Sequence, residues 1–230
     1  MEAVWFGFGR PLRAVLFPIL IAIASTAEPA ERVPAPLNDA PRTAGPLQSA
    51  VLAGGCFWGV QAVYEHVKGV RRVLAGYSGG NWVNAHYEMV SGGATGHAES
   101  VQISFDPQVI SYGQLLQIFF SVVHDPTQVD RQGPDVGPQY RSSIFYVNAE
   151  QRKIAQAYIE QLNDADVFER RIVTRVKQLA GFYPAEGYHQ DFLISHPMLP
   201  YIVHNDLPKI ADLGRLFPEL YVENPVRVAR

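Results

Sequence analysis

Gly54-Gly55 separates an apolar run, Ala50-Val51-Leu52-Ala53, from an amphipathic one carrying Val60, Ala62, Val63, Tyr64 and Val67. A short continuous apolar run suits a buried strand, and helical spacing suits a helix, so the segment reads as strand, glycine turn, helix. Cys56, the single cysteine of the chain, falls at the start of that helix. Unpaired backbone N–H groups and the positive dipole end gather there and favour a thiolate. A free thiol titrates near pH ~8.5, and such a setting lowers it by up to several units. One cysteine forms no intramolecular disulfide. Chemistry at Cys56 therefore uses that sulfur alone or a thiol from another molecule.

The rest of the body extends this pattern. An extended run, Val73-Leu74-Ala75-Gly76-Tyr77, ends at Gly79-Gly80. Val101, Ile103 and Phe105 alternate with polar residues, which predicts a half-buried strand over 98–105. Ser111 and Gln114 have the spacing of a capping box for the helix carrying Leu115, Leu116, Ile118, Phe119 and Phe120. Residues 124–140 hold Asp125-Pro126, Gly133-Pro134 and Gly137-Pro138, so they form neither helix nor regular strand. A loop of that length inside a domain is usually functional or disordered, and its Asp, Gln, Arg and Tyr content points to function. A strand over 142–147, a helix over 150–162, a weaker strand over 173–179 and a last short helix over 206–217 follow. This order predicts an α+β body: a mixed sheet with helices packed against it in two layers, with long loops and a coil-rich C-terminal tail.

Arg10 and Arg13 precede an apolar run from Ala14 to Ala24, and Ser25-Thr26-Ala27 supplies small residues at the usual cleavage positions. That is the pattern of a secretory signal peptide, and the run is short for a membrane span. A retained interfacial anchor is the alternative. The expected organisation is a signal peptide over 1–27, a disordered Pro- and Ala-rich linker over 28–48, a catalytic domain over 49–222 and a tail over 223–230. The expected location is outside the cytoplasm, in the periplasm, with no membrane contact after cleavage. A formal charge of −3 argues against a nucleic-acid partner, which would need dense positive patches.

Cys56 is either a nucleophile or a small buried hydrophobe. Glycines on both sides leave its backbone open to a substrate, and Phe57 and Trp58 supply an aromatic surface near the sulfur. Glu99 shares the parity of Val101, Ile103 and Phe105. It either faces a partly apolar cavity, where a carboxyl keeps its proton, or ends its strand in solvent. Tyr87 and Tyr140 offer neutral hydrogen-bond donors, and Asp135 stands with Tyr140 in the long loop. His86, His97, His124, His189 and His196 show no i, i+4 pair and read as loop hydrogen-bonders rather than metal ligands. Their spacing leaves open a hydrolase-type Cys–His pair.

Several motifs together resemble the type A peptide-methionine sulfoxide reductases. They are Gly54-Gly55-Cys56-Phe57-Trp58-Gly59, Gly76-Tyr77-Ser78-Gly79-Gly80, Thr95-Gly96-His97-Ala98-Glu99, His124-Asp125-Pro126-Thr127, Gln139-Tyr140-Arg141-Ser142, Phe182-Tyr183-Pro184-Ala185-Glu186 and Tyr188-His189-Gln190. They stand in family order over roughly residues 50–220. The resemblance implies a ferredoxin-like-related two-layer α/β sandwich and reduction of the S epimer of methionine sulfoxide, protein-bound or free, as repair after oxidation. It implies Cys56 as nucleophile and Glu99 as the acid that protonates the sulfoxide oxygen. Phe57 and Trp58 match the pocket for the S-methyl group, and Tyr87, Tyr140 and Asp135 match the residues that hold the oxygen. It implies no bound cofactor.

The chain departs from many family members in its C-terminal region, where Ser195 to Tyr221 holds no further cysteine. A sulfenic acid on Cys56 must then be recycled by an external thiol, from a thioredoxin-like protein, from glutaredoxin with glutathione or from another periplasmic dithiol. Gly187 stands where an acidic residue is common, and Ala85 where proline is common. The rival readings are a cysteine hydrolase, which needs a base beside Cys56, and a recogniser of oxidised protein that binds sulfoxide without reducing it.

Overall fold

The alternation of Val101, Ile103 and Phe105 marks the interior of a six-stranded sheet in the computed structural model, which describes residues 1–3 and 30–228. The strands are β1 (Gln48–Ala53), β2 (Val70–Ser78), β3 (Ala98–Phe105), β6 (Ser143–Tyr146), β7 (Arg175–Gln178) and β8 (Phe182–Pro184). Their order is β7-β6-β1-β3-β2-β8, and only β6 and β7 run parallel. A parallel pair needs a crossover, and helix α4 (Ala149–Asp164) supplies it between them. A two-stranded hairpin, β4 (Arg131–Gln132) with β5 (Asp135–Val136), interrupts the long loop. The proline and glycine pairs concealed these two-residue strands from sequence reasoning.

Helix α1 (Phe57–Glu65), helix α3 (Tyr112–Ile118) and α4 cover one face of the sheet. There Leu52, Val73, Ala75, Val101, Ile103 and Ile144 join Val60, Val63, Leu115 and Ile154 in the main core. Burial of each such side chain contributes about 1.5–3 kcal/mol. The opposite face carries a small cluster of Val51, Ala53, Ala98 and Phe145. The capping box forms as expected: the Gln114 amide donates to Ser111 Oγ, and the Ser111 amide donates to Gln114 Oε1, both at 3.2 Å. A π-helical turn, Phe119–Val123, extends α3. Short helices α2 (Tyr87–Val90), α5 (Phe192–Ser195), α6 (Pro200–Asn205) and α7 (Leu207–Leu216) complete the body.

Residues 30–47 contain neither helix nor strand, yet they are not a loose linker. Val33 is buried, its amide donates to Ser121 Oγ at 3.1 Å, and its carbonyl accepts from Gln117 Nε2 at 2.8 Å. Tyr158 Oη donates to the Pro34 carbonyl at 2.6 Å, and Gln161 Nε2 donates to the Ala35 carbonyl at 2.9 Å. Proline-rich composition forbids regular structure, but the helices beneath satisfy this backbone and hold it as a strap. The tail is docked as well: the Val226 amide donates to the Glu65 carbonyl, and the Val228 amide to Asp191 Oδ1. The expected signal peptide lies outside the described residues apart from its first three. Among the described residues no helix is long and apolar enough to cross a membrane.

Candidate active site

β1 ends at Ala53, and the turn that follows delivers Cys56 as the N-cap residue of α1. Gly55 has φ +100°, and a Cβ there would stand 2.8 Å from the Gln132 side chain. Glycine thus allows the turn and the close seating of the long loop on it. Gln132 ties that loop down, accepting from the Asp125 amide and donating to the Asp125 carbonyl, each at 3.0 Å.

The helix N-terminus does not produce a resting thiolate. Cys56 is buried, and burial pushes its thiol well above the ordinary value. The nearby carboxyls of Glu99, Asp206 and Asp135 push it further, while the Trp58 amide N–H draws it down and is outweighed. The expectation from position alone counted only the helix end. Burial first, and then acidic groups brought in from β3, the α6–α7 junction and the long loop, reverse it.

Glu99 faces inward, 2% exposed, with its Oε2 accepting the Phe57 amide at 3.0 Å. Of its two open readings, the solvent one is excluded. Burial raises its carboxyl to about 8; Asp135 adds to the rise, and the Phe57 amide and the Cys56 thiol oppose it. At neutral pH Glu99 therefore carries a proton. A protonated carboxyl and a protonated thiol share the first turn of α1.

Phe57 is fully buried against Tyr77 and His189, with ring centroids 5.8 and 5.0 Å away. Trp58 is half-buried and stacks on Phe192 at 3.7 Å, with Tyr201 edge-on at 6.0 Å. Its Nε1–H donates to His189 Nδ1 at 3.1 Å. Burial lowers the His189 imidazole, so the ring is neutral and keeps its proton on Nε2, which is buried without a partner among the described residues.

Tyr87 and Tyr140, both half-buried, lie within the field of Glu99 and Cys56. Burial, then those two groups, raise both phenols, so both remain donors. Glu186 fixes Tyr87, accepting its amide at 2.9 Å and the Tyr77 hydroxyl at 2.8 Å. Asp135 accepts the Tyr201 hydroxyl at 2.5 Å. The structure thus gathers Cys56, Glu99, Phe57, Trp58, Tyr87, Tyr140 and Asp135 around the start of α1.

Sequence reasoning missed Tyr201, Glu186 and Asp206, and it took His189 for a generic loop hydrogen-bonder. Tyr201 comes from the C-terminal region and Asp206 opens its predicted last helix, and no local pattern marked either as a site residue. His189 had a signal in its Tyr-His-Gln motif. His124 is buried against the Phe119 carbonyl and lowered to about 4 by burial, so it is neutral and structural. A Cβ at Gly187 would meet nothing within 4 Å, so the backbone there leaves room for a side chain.

The comparisons with known proteins converge. The family described as peptide methionine sulfoxide reductase matches residues 48–216. The chain is 58% identical over 181 residues to peptide methionine sulfoxide reductase MsrA 2 of Mesorhizobium japonicum, covering 79% of this chain and 93% of that one. It is 54% identical over 174 residues to MsrA 2 of Synechocystis sp., covering 76% and 81%. Among solved structures it is similar to reduced Mxr1 from Saccharomyces cerevisiae, with TM-score 0.60 and 32% identity over 68% of this chain and 91% of that one. It is also similar to methionine sulfoxide reductase A of Corynebacterium diphtheriae, with TM-score 0.58 and 29% identity over 76% and 87%.

Proposed function

Because the chain belongs to the peptide methionine sulfoxide reductase family, and is an enzyme of that class, we propose that it reduces the S epimer of methionine sulfoxide at Cys56. Methionine sulfoxide in oxidised proteins and free methionine sulfoxide are both substrates. The observation that carries the reading is the bond from the Phe57 amide to Glu99, which joins a protonated carboxyl to the helix end that bears the thiol.

The sulfoxide is a polar S=O on an apolar stem. Its methyl group suits the Phe57–Trp58 surface, and its oxygen suits the Tyr87 and Tyr140 hydroxyls, with Asp135 behind Tyr201. As the Cys56 sulfur attacks, charge builds on the oxygen, and Glu99 gives it a proton. In the net step the oxygen passes to Cys56 as a sulfenic acid, and methionine leaves. The substrate sulfur gains two electrons and the Cys56 sulfur loses two. An external thiol attacks the sulfenic acid, releasing water and forming a mixed disulfide. A second thiol frees Cys56. A thioredoxin-like protein or glutaredoxin with glutathione is the proposed donor, and no bound cofactor enters. The proposed setting is the periplasm, on the strength of the leader pattern alone.

The test uses the chain from residue 28, dithiothreitol and a peptide with separated sulfoxide epimers. Reduction of the S epimer alone, abolished in Cys56→Ser, is expected. Turnover that survives Cys56→Ser would remove the cysteine from the mechanism.

A further inference from the structure

Asp206 is a carboxyl group that the chemistry above does not use, and it is 0% exposed. It stands where α6 meets α7 and reaches under the first turn of α1. A Cβ on Gly59 would fall within 2.0 Å of its Oδ1, so only glycine leaves room for it. Lys209 Nζ meets Oδ1 at 3.2 Å. Oδ2 is buried and has no partner among the described residues. A buried carboxylate with one bare oxygen is costly; Lys209 is its one partner among the described residues, and the carboxylate lies against Gly59 in the first turn of α1.

We propose that Asp206 and Lys209 are a positioning pair for Cys56: their balance of charge beneath the first turn of α1 sets how readily the thiol gives up its proton. The inference rests on Cys56 as the nucleophile. Neither group touches a substrate, and both act through the helix end they share with the sulfur. The other groups facing Cys56 are Glu99 from β3, Asp135 from β5, Tyr87 from α2, Tyr140 from the turn before β6, and Tyr201 from α6. Asp206 and Lys209 meet at 3.2 Å against Gly59, three residues on from the thiol, and Asp135 is the remaining carboxyl that faces it. In a chain without a second cysteine, a thiol held protonated at rest is shielded from attack that no internal thiol could reverse.

Cys56 is the only cysteine, so its alkylation by iodoacetamide across a pH series titrates this thiol alone and needs no sulfoxide. Asp206→Asn removes the negative member; the midpoint should fall by about one unit, which is about tenfold faster labelling at a fixed pH below it. Lys209→Met removes the positive member, and labelling should slow by about tenfold. Lys209→Arg keeps the charge and should restore the parent midpoint. Lys209 is partly exposed, so the Met and Arg variants carry the test if Asp206→Asn does not fold. Opposite shifts support the pair. Shifts in the same direction, or midpoints unmoved within about twofold, overturn it. If reductase activity instead survived loss of Cys56, the proposed function would fall while the alkylation result would still report on Asp206.

Discussion

The Phe57 amide and a Glu99 carboxyl oxygen, 42 residues apart in the chain, meet at 3.0 Å. That bond takes up the first free N–H of α1, so the acid occupies the helix end where sequence position alone would put a thiolate. The consequence is a neutral resting site, with the proton of Glu99 held ready for an oxygen that acquires charge only during reaction.

Glu99→Gln should therefore keep the fold and lose the chemistry. The amide retains an oxygen for the Phe57 N–H but holds no transferable proton. Its kcat/KM on a sulfoxide peptide should fall by about 10²–10⁴. Infrared titration of the parent should show a protonated carboxyl band vanishing about pH 8 and missing from the variant. The Glu65 carboxyl, raised to about 9, should remain in the variant; a component that still vanishes about pH 8 in Glu99→Gln would assign that proton elsewhere.

Glu65 should make stability fall with pH. It is buried at the far end of α1 beside Asp191, with its Oε1 unpartnered among the described residues. Burial, then Asp191, raises it from 4.5 to about 9. Its folded value lies above its unfolded one, so the folded state holds the extra proton between them. Stability from this group is complete below pH 4.5 and declines as pH rises towards about 9. The slope is about 1.4 kcal/mol per unit. Glu65→Gln offers a neutral donor to Asp191, so denaturant unfolding should show a flatter pH profile with its largest gain near the upper limit. An unchanged slope would mean that Glu65 ionises alike in both states.

The strap should matter to stability and not to catalysis. Asp39 Oδ1 accepts the Gly113 amide at 2.7 Å, and its Oδ2 accepts Ser111 Oγ at 2.5 Å. It thus caps α3 from a distance in sequence. Asp39→Ala should cost about 0.5–2 kcal/mol in urea unfolding, the range for a lost cap. The rate per folded molecule should be that of the parent. A matching loss of turnover would show that the strap also reaches the site.

What could be read from the sequence was what local pattern encodes. The turn at Gly54-Gly55, the capping box at Ser111 and the inward parity of Glu99 each follow from neighbouring residues, and each stands in the structure. The ionisation of Cys56 did not follow, because burial and carboxyls 43, 79 and 150 residues away decide it. The strap was read as linker because its composition reports only the lack of regular structure, whereas Gln117, Tyr158 and Gln161 provide its partners. Tyr201 and Asp206 acquire meaning only when α6 and α7 fold back against α1. The motifs that resembled a family contain Glu186 and His189, which hold Tyr87 and Trp58, but neither Tyr201 nor Asp206.

His189 holds Trp58, and its replacement should separate binding from chemistry. Its Nδ1 accepts the Trp58 Nε1–H, and its ring packs 5.0 Å from Phe57 and 4.5 Å from Tyr87. The imidazole touches the walls of the proposed methyl pocket and holds no bond to Cys56 or Glu99. His189→Leu removes the acceptor and leaves the indole N–H bare, a cost of about 1–3 kcal/mol. That cost falls on the position of Trp58, so KM for a sulfoxide peptide should rise by about tenfold or more while kcat changes less. His189→Asn returns an acceptor to the indole and should recover most of the lost affinity. Steady-state kinetics of the two variants decide the matter: a collapse of kcat at constant KM would mean that His189 acts on the reacting oxygen itself, through the Nε2–H that has no partner in the resting site.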